Sequence, residues 1–142
     1  MDKFNADAGS AILTAARLDS LLQQLLRLAM PEASNTLAKE LFDRPLGSFS
    51  AKIDVARAMG LIDATAHRDL RAIKGLRNLF AHVERPVHFT SPEVIKKAKQ
   101  LFAQKCGKGA SVRKLFDAAA DSAEGAINAK IDSLLYEQAI AE

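Results

Sequence analysis

One stretch, Asp63 to Arg85, constrains the fold more than any other part of the chain. Advanced at about 100° per residue, Asp69, Ile73, Leu76, Phe80 and Val83 fall on one arc of a helix. Arg71, Lys74, Asn78 and His82 gather on another arc, and Arg77 falls at the seam between the two. A segment patterned in this way cannot sit as a strand. It predicts one long helix, held to a core by its apolar stripe, that carries an Arg, an Asn and an imidazole on its polar side.

The rest of the chain follows the same helical logic. Ser10 can cap a first helix to about Ala29, where Pro31 stops it. Its apolar positions, from Ile12 to Leu28, are broader than one stripe, which predicts contact on two sides, within a bundle or with a second subunit. A short helix is expected over Asn35–Phe42, then a turn-rich connection through Pro45-Leu46-Gly47. Ser48 or Ser50 can cap a third helix through Met59, and Gly60 can end it in the left-handed region. Asp63 or Thr65 can cap the long fourth helix. After Arg85-Pro86 the chain is expected to run irregularly to Thr90, and Ser91-Pro92-Glu93 to open a fifth helix reaching about Lys105. Cys106-Gly107-Lys108-Gly109 should break it, and Ser111 to Ala139 reads as a last long, Ala-rich helix, interrupted at most near Gly125.

With Ala and Leu dominant and β-branched residues few, the expectation is an all-α, single-domain bundle of five to six helices spanning residues 1–142. Residues 110–142 form its long C-terminal helix. The most apolar stretch, Ile12 to Met30, contains Arg17, Asp19 and Arg27, so no membrane span is expected. No secretory signal is seen in the first ten residues, and Cys106 is the one cysteine, so the expected location is the cytoplasm. His67 and His88 have no second ligand at metal spacing, and no cofactor or metal is expected.

Charge is unevenly spread. From Arg68 to Lys114 there are twelve Lys or Arg against three acidic residues, although the whole chain is only +3. Such a block can attract a polyanion, or pair with acidic parts of its own or a partner subunit. Asp69 is the odd residue on the apolar arc, and a buried carboxylate needs partners. Lys52 and the backbone N–H groups between Gly47 and Ser50 are the candidates, giving Ser48, Ser50, Lys52 and Asp69 a supporting role. A helix-turn-helix over Val55–Leu70 would bring Arg68 and Arg71 to base edges, but its second helix would run too long and bury its middle.

Several of these residues in order resemble the mannitol operon repressor (MltR) family. They are Pro45-Leu46-Gly47-Ser48-Phe49-Ser50-Ala51-Lys52-Ile53, Gly60-Leu61-Ile62, Asp69-Leu70, and Arg77-Asn78 followed by Phe80-Ala81-His82, with Ala16-Arg17-Leu18-Asp19 and Leu22 on the first helix. The likeness runs from about Ala15 to Phe102, inside a family-like core of residues 1–106. It implies a helical transcriptional regulator acting through binding. Arg71, Lys74, Arg77, Asn78 and His82 are the expected contacts, in a homodimer or higher homo-oligomer that engages a protein or nucleic acid. Leu79 stands where that family commonly has Asp. The Arg-Asn-x-x-x-His segment also resembles the wider HEPN superfamily, many of whose members are metal-independent ribonucleases. That likeness implies His82 as general base, Arg77 as phosphate stabiliser and Asn78 as an orienting neighbour. The bland alternative is that His82 caps carbonyls at the helix end and Arg77 anchors a loop.

Overall fold

The computed structural model describes residues 6–82, 86–102 and 111–141, leaving the side chain of His82 outside that set. Among the described residues the chain is all-helical: α1 (Ala6–Leu28), α2 (Asn35–Asp43), α3 (Phe49–Ala58), α4 (Ala64–His82), α5 (Pro92–Leu101) and α6 (Val112–Ala141). The expected end of the fifth helix at Lys105, the break at Cys106–Gly109, and Val83 of the apolar arc lie outside the described residues.

Local chemistry explains most boundaries. Ser34 caps α2 through Leu37 N–H at 3.1 Å, and Ser48 caps α3 through Ala51 N–H at 3.0 Å. Asp63 caps α4 by accepting from Ala66 N–H at 2.8 Å. Gly60, at φ 73, turns the chain between α3 and α4 in a conformation that a side chain would strain. Two boundaries differ from the sequence expectation. α1 begins at Ala6 rather than after Ser10, with Asp7 favoured in its first turn, and the Ser10 hydroxyl instead accepts from Arg113 Nη2 at 3.1 Å. α6 also runs unbroken through Gly125, because Phe116, Ala119, Ala120, Ala123 and Ile127 anchor it on both sides.

The core lies where α1, α4 and α6 meet. Leu18, Leu22, Leu25 and Leu26 of α1 face Leu70, Ile73 and Leu76 of α4 and the buried stripe of α6 in one continuous cluster. Each fully buried Leu or Ile contributes about 1.5–3 kcal/mol. α3 lies against α1 and α4, and α5 against α4 and α6. α5 comes close: a methyl group at Gly75 of α4 would stand 3.0 Å from Leu101 Cδ1. Because residues of α6 share the core with α1 and α4, the last helix belongs to the same packed unit.

Charge ties the ends. Asp7 accepts from Phe89 N–H at 3.0 Å and lies 3.5 Å from the Arg113 guanidinium, joining the start of α1 to the start of α6. Phe80 and Phe89 meet edge to face and Phe89 and Phe116 meet at a tilt, with centroids 5.0 and 5.3 Å apart. Lys52 is 3% exposed and meets Asp19 of α1 at 2.9 Å. Its ammonium also donates to Gly47 O at 3.4 Å. Asp69 is buried as its place on the apolar arc requires, but Lys52, offered as its counterion, turns to Asp19.

Candidate functional site

α3 and α4 form an antiparallel hairpin, and the contacts step along it in order. Asp54 meets His67 and Arg71, Ser50 meets Lys74, and Phe49 meets Arg77. The polar arc of α4 therefore does not stand away from the protein. It runs along the edge of α3, and three of its five expected contact residues, Lys74, Arg77 and Asn78, are half-buried while Arg71 is exposed. His82 closes α4, and its side chain lies outside the described residues.

Each placement has a physical cause. Lys74 Nζ donates to Ser50 Oγ at 3.3 Å. Arg77 Nε donates to Asn78 Oδ1 at 3.0 Å, and its guanidinium sits 5.9 Å from the centroid of the Phe49 ring. Phe49 is the first residue of α3, so both cations stand at the end of that helix where unpaired N–H groups concentrate positive potential. No acid occupies the first turn of α3, and neither Lys74 nor Arg77 has a carboxylate partner among the described residues. Like charge gathered in this way favours a bound anion.

One turn further along, Asp54 Oδ1 lies 2.9 Å from His67 Nε2 and 3.0 Å from Arg71 Nη1. A carboxylate only accepts, so the contact puts a ring proton on Nε2. The hydrogen bond from His67 outweighs the opposing desolvation and, with the charges of Arg71 and His67 added, holds the Asp54 carboxyl below its ordinary value of 3.8. Among the described residues no three His, Cys, Asp or Glu side chains converge as metal ligands, and no helix is long and apolar enough to cross a membrane.

The hairpin brings together Arg71, Lys74, Arg77 and Asn78, with Ser50 beside them, as one row. Ser48 is a helix cap, and Lys52 faces α1 instead. Asp54 is not singled out from sequence, His67 is weighed there only as a metal ligand, and Phe49 enters only within the family-like motif. The signal for His67 was available, because it stands four residues before Arg71 on the same face. Asp54 and Phe49 become visible only once the tight turn at Gly60 folds α3 back along α4.

No family model matches the chain, and neither does any curated protein or solved structure.

Proposed function

We propose that this chain is a transcriptional regulator of the mannitol operon repressor type, acting by binding nucleic acid through the polar edge between α3 and α4. The observation that carries this reading is the pair Lys74 and Arg77, drawn in at the positive end of α3 without a carboxylate among the described residues. Paired phosphates are the anions best suited to an Arg fork and an ammonium side by side. The proposed state is a homo-oligomer, supported by Leu135, Tyr136 and Ile140, which α6 leaves 48%, 68% and 65% exposed. The proposed setting is the cytoplasm, where a single-cysteine chain needs no oxidising environment.

The test is fluorescence anisotropy with a labelled RNA strand and a labelled DNA duplex at low salt. Lys74→Ala and Arg77→Ala should each weaken binding and reduce the salt slope by about one. Binding that is unchanged in both variants, or absent in the unaltered protein, overturns the reading.

One observation favours a second reading, a metal-independent ribonuclease. The Arg77–Asn78 hydrogen bond fixes the guanidinium as a phosphate stabiliser would need. This reading expects RNA cleavage in EDTA, leaving 2′,3′-cyclic phosphate ends, and loss of cleavage in His82→Ala. Intact RNA after incubation with the unaltered protein removes it.

A further inference from the structure

We propose that His67 and Arg71 form a phosphate subsite on α4 that Asp54 occupies as an internal substitute, so that nucleic acid must displace this carboxylate to engage them. The inference rests on the reading of the α3–α4 edge as a phosphate-binding face, and adds to it how that face is held in check.

The geometry is that of anion recognition. Two donors one helical turn apart on α4 converge on a single oxygen, at 2.9 Å from the imidazole and 3.0 Å from the guanidinium. A phosphodiester oxygen offers the same acceptor character and carries its own charge. Asp54 is the one acid in α3, and its carboxylate is set against the start of the cationic row.

Neither member of the Asp54–Arg71 pair is sealed: their side chains are 50% and 51% exposed. An exposed pair of this kind is worth at most about 1 kcal/mol, so a ligand with several phosphates can displace it without unfolding the helix. The hairpin does not need the pair to stay closed, since Phe49, Ile53 and Ala56 of α3 are buried in the core. The main effect of the carboxylate is therefore electrostatic. It cancels one positive charge at one end of a row that continues through Lys74 to Arg77.

Spacing adds a ligand class. Arg71 and Arg77 are six residues apart, which is about 9 Å along a helix axis. One isolated phosphate cannot span that length, whereas successive phosphates of a strand can. The ligand is thus a polynucleotide backbone, and a free phosphate ion should engage the row poorly.

The experiment uses the full chain and compares the affinities of Asp54→Asn and Asp132→Asn for labelled single-stranded RNA, duplex DNA and inorganic phosphate. Asp132 lies on the exposed C-terminal part of α6, so its substitution removes the same charge away from the row. Asp54→Asn should bind a strand about three- to tenfold tighter than the unaltered protein, and Asp132→Asn within about twofold of it. Adding Arg71→Ala to Asp54→Asn should abolish the gain, whereas adding Lys39→Ala, which removes the same positive charge from the exposed face of α2 away from the row, should leave it. Circular dichroism of each variant checks that the helices persist. Equal affinity in Asp54→Asn and Asp132→Asn overturns the inference, as does a gain that survives Arg71→Ala. A gain seen with inorganic phosphate alone overturns the polynucleotide assignment. The two ideas fail separately: if Lys74→Ala and Arg77→Ala weaken binding while Asp54→Asn does nothing, the reading of the face stands and the substitute role falls. If those two variants bind normally, the reading falls and takes the inference with it.

Discussion

The α3–α4 edge and the end formed by α1, α2 and α6 handle their mismatched residues in opposite ways. Along the α3–α4 edge, charged side chains are drawn partly under cover and given contacts: Lys74 on Ser50, Arg77 on Phe49 and Asn78, Arg71 on Asp54. At the other end, apolar side chains stand in water. Leu135, Tyr136, Ile140 and Leu37 are all exposed, and Leu135 joins Leu28, Phe42 and Ile131, with Gln23 and Arg27, in lining a groove of about 830 Å³. The first region pairs only Arg71 with a carboxylate, Asp54, and gives Lys74 and Arg77 neutral contacts among the described residues. The second leaves apolar area that only an outside surface can cover. Under the proposed function, recognition and self-association would fall to separate parts of one bundle.

The most disruptive way to break this division is to remove what separates the regions. Leu76→Ala, at a fully buried position on α4, should cost about 2–5 kcal/mol in denaturant unfolding and loosen both regions together. A cost below about 1 kcal/mol would mean that α4 is not the spine of the core.

Next in size is the ion pair beneath the hairpin. Lys52→Ala leaves Asp19 facing a void, and a loss of about 2 kcal/mol is expected, moderated because Asp19 is 34% exposed. Lys52→Met, which fills the same space without charge, should recover most of that loss. If Met is as damaging as Ala, the pair rather than the packing holds α3 to α1.

A smaller effect on stability, but a visible one on assembly, should follow from Leu135→Glu combined with Tyr136→Glu. Both side chains are exposed, so the unfolding free energy should move by less than about 0.5 kcal/mol while sedimentation shows a lighter species. A mass unchanged by the double substitution would remove the proposed role of this end in self-association.

The smallest expected effect concerns acid. Asp54 has a folded-state pKa below its ordinary 3.8, so its contacts add stability that is full above the unfolded-state value. That contribution is lost as pH falls through the lower folded-state value. Asp54→Asn should therefore flatten the acid limb of the stability curve only slightly, because the carboxylate is half in solvent. Unfolding curves that differ most at neutral pH would match this sign, and curves that differ most at the acid extreme would contradict it.

Features governed by neighbours in the chain were legible in the sequence. The stripe Ile73, Leu76 and Phe80 is buried, Ser48 and Asp63 cap their helices, and Gly60 takes the positive φ assigned to it. What escaped depends on which faces meet. Lys52 is one of two partners the sequence offers Asp69, beside the backbone N–H groups of Gly47 to Ser50, yet Asp19, thirty-three positions before Lys52, receives it because α1 packs beside α3. The polar arc of α4 was expected to face outward, because a wheel shows one helix and not the neighbour folded back along it. Ala126 and Leu135 likewise keep the helical spacing of an apolar stripe on α6, yet both are exposed. That helix extends past its last buried residue, Ile127, and periodicity alone does not say where the neighbours end.

The near-contact at Gly75 has a consequence for how α5 seats on α4. A methyl group there would stand 3.0 Å from Leu101 Cδ1 and 3.8 Å from Lys97 Cε, so any side chain at this position would wedge the two helices apart or turn Leu101 aside. Gly75 shares its side of α4 with Arg71, four residues earlier, so the bare backbone lets α5 close beside the start of the cationic row.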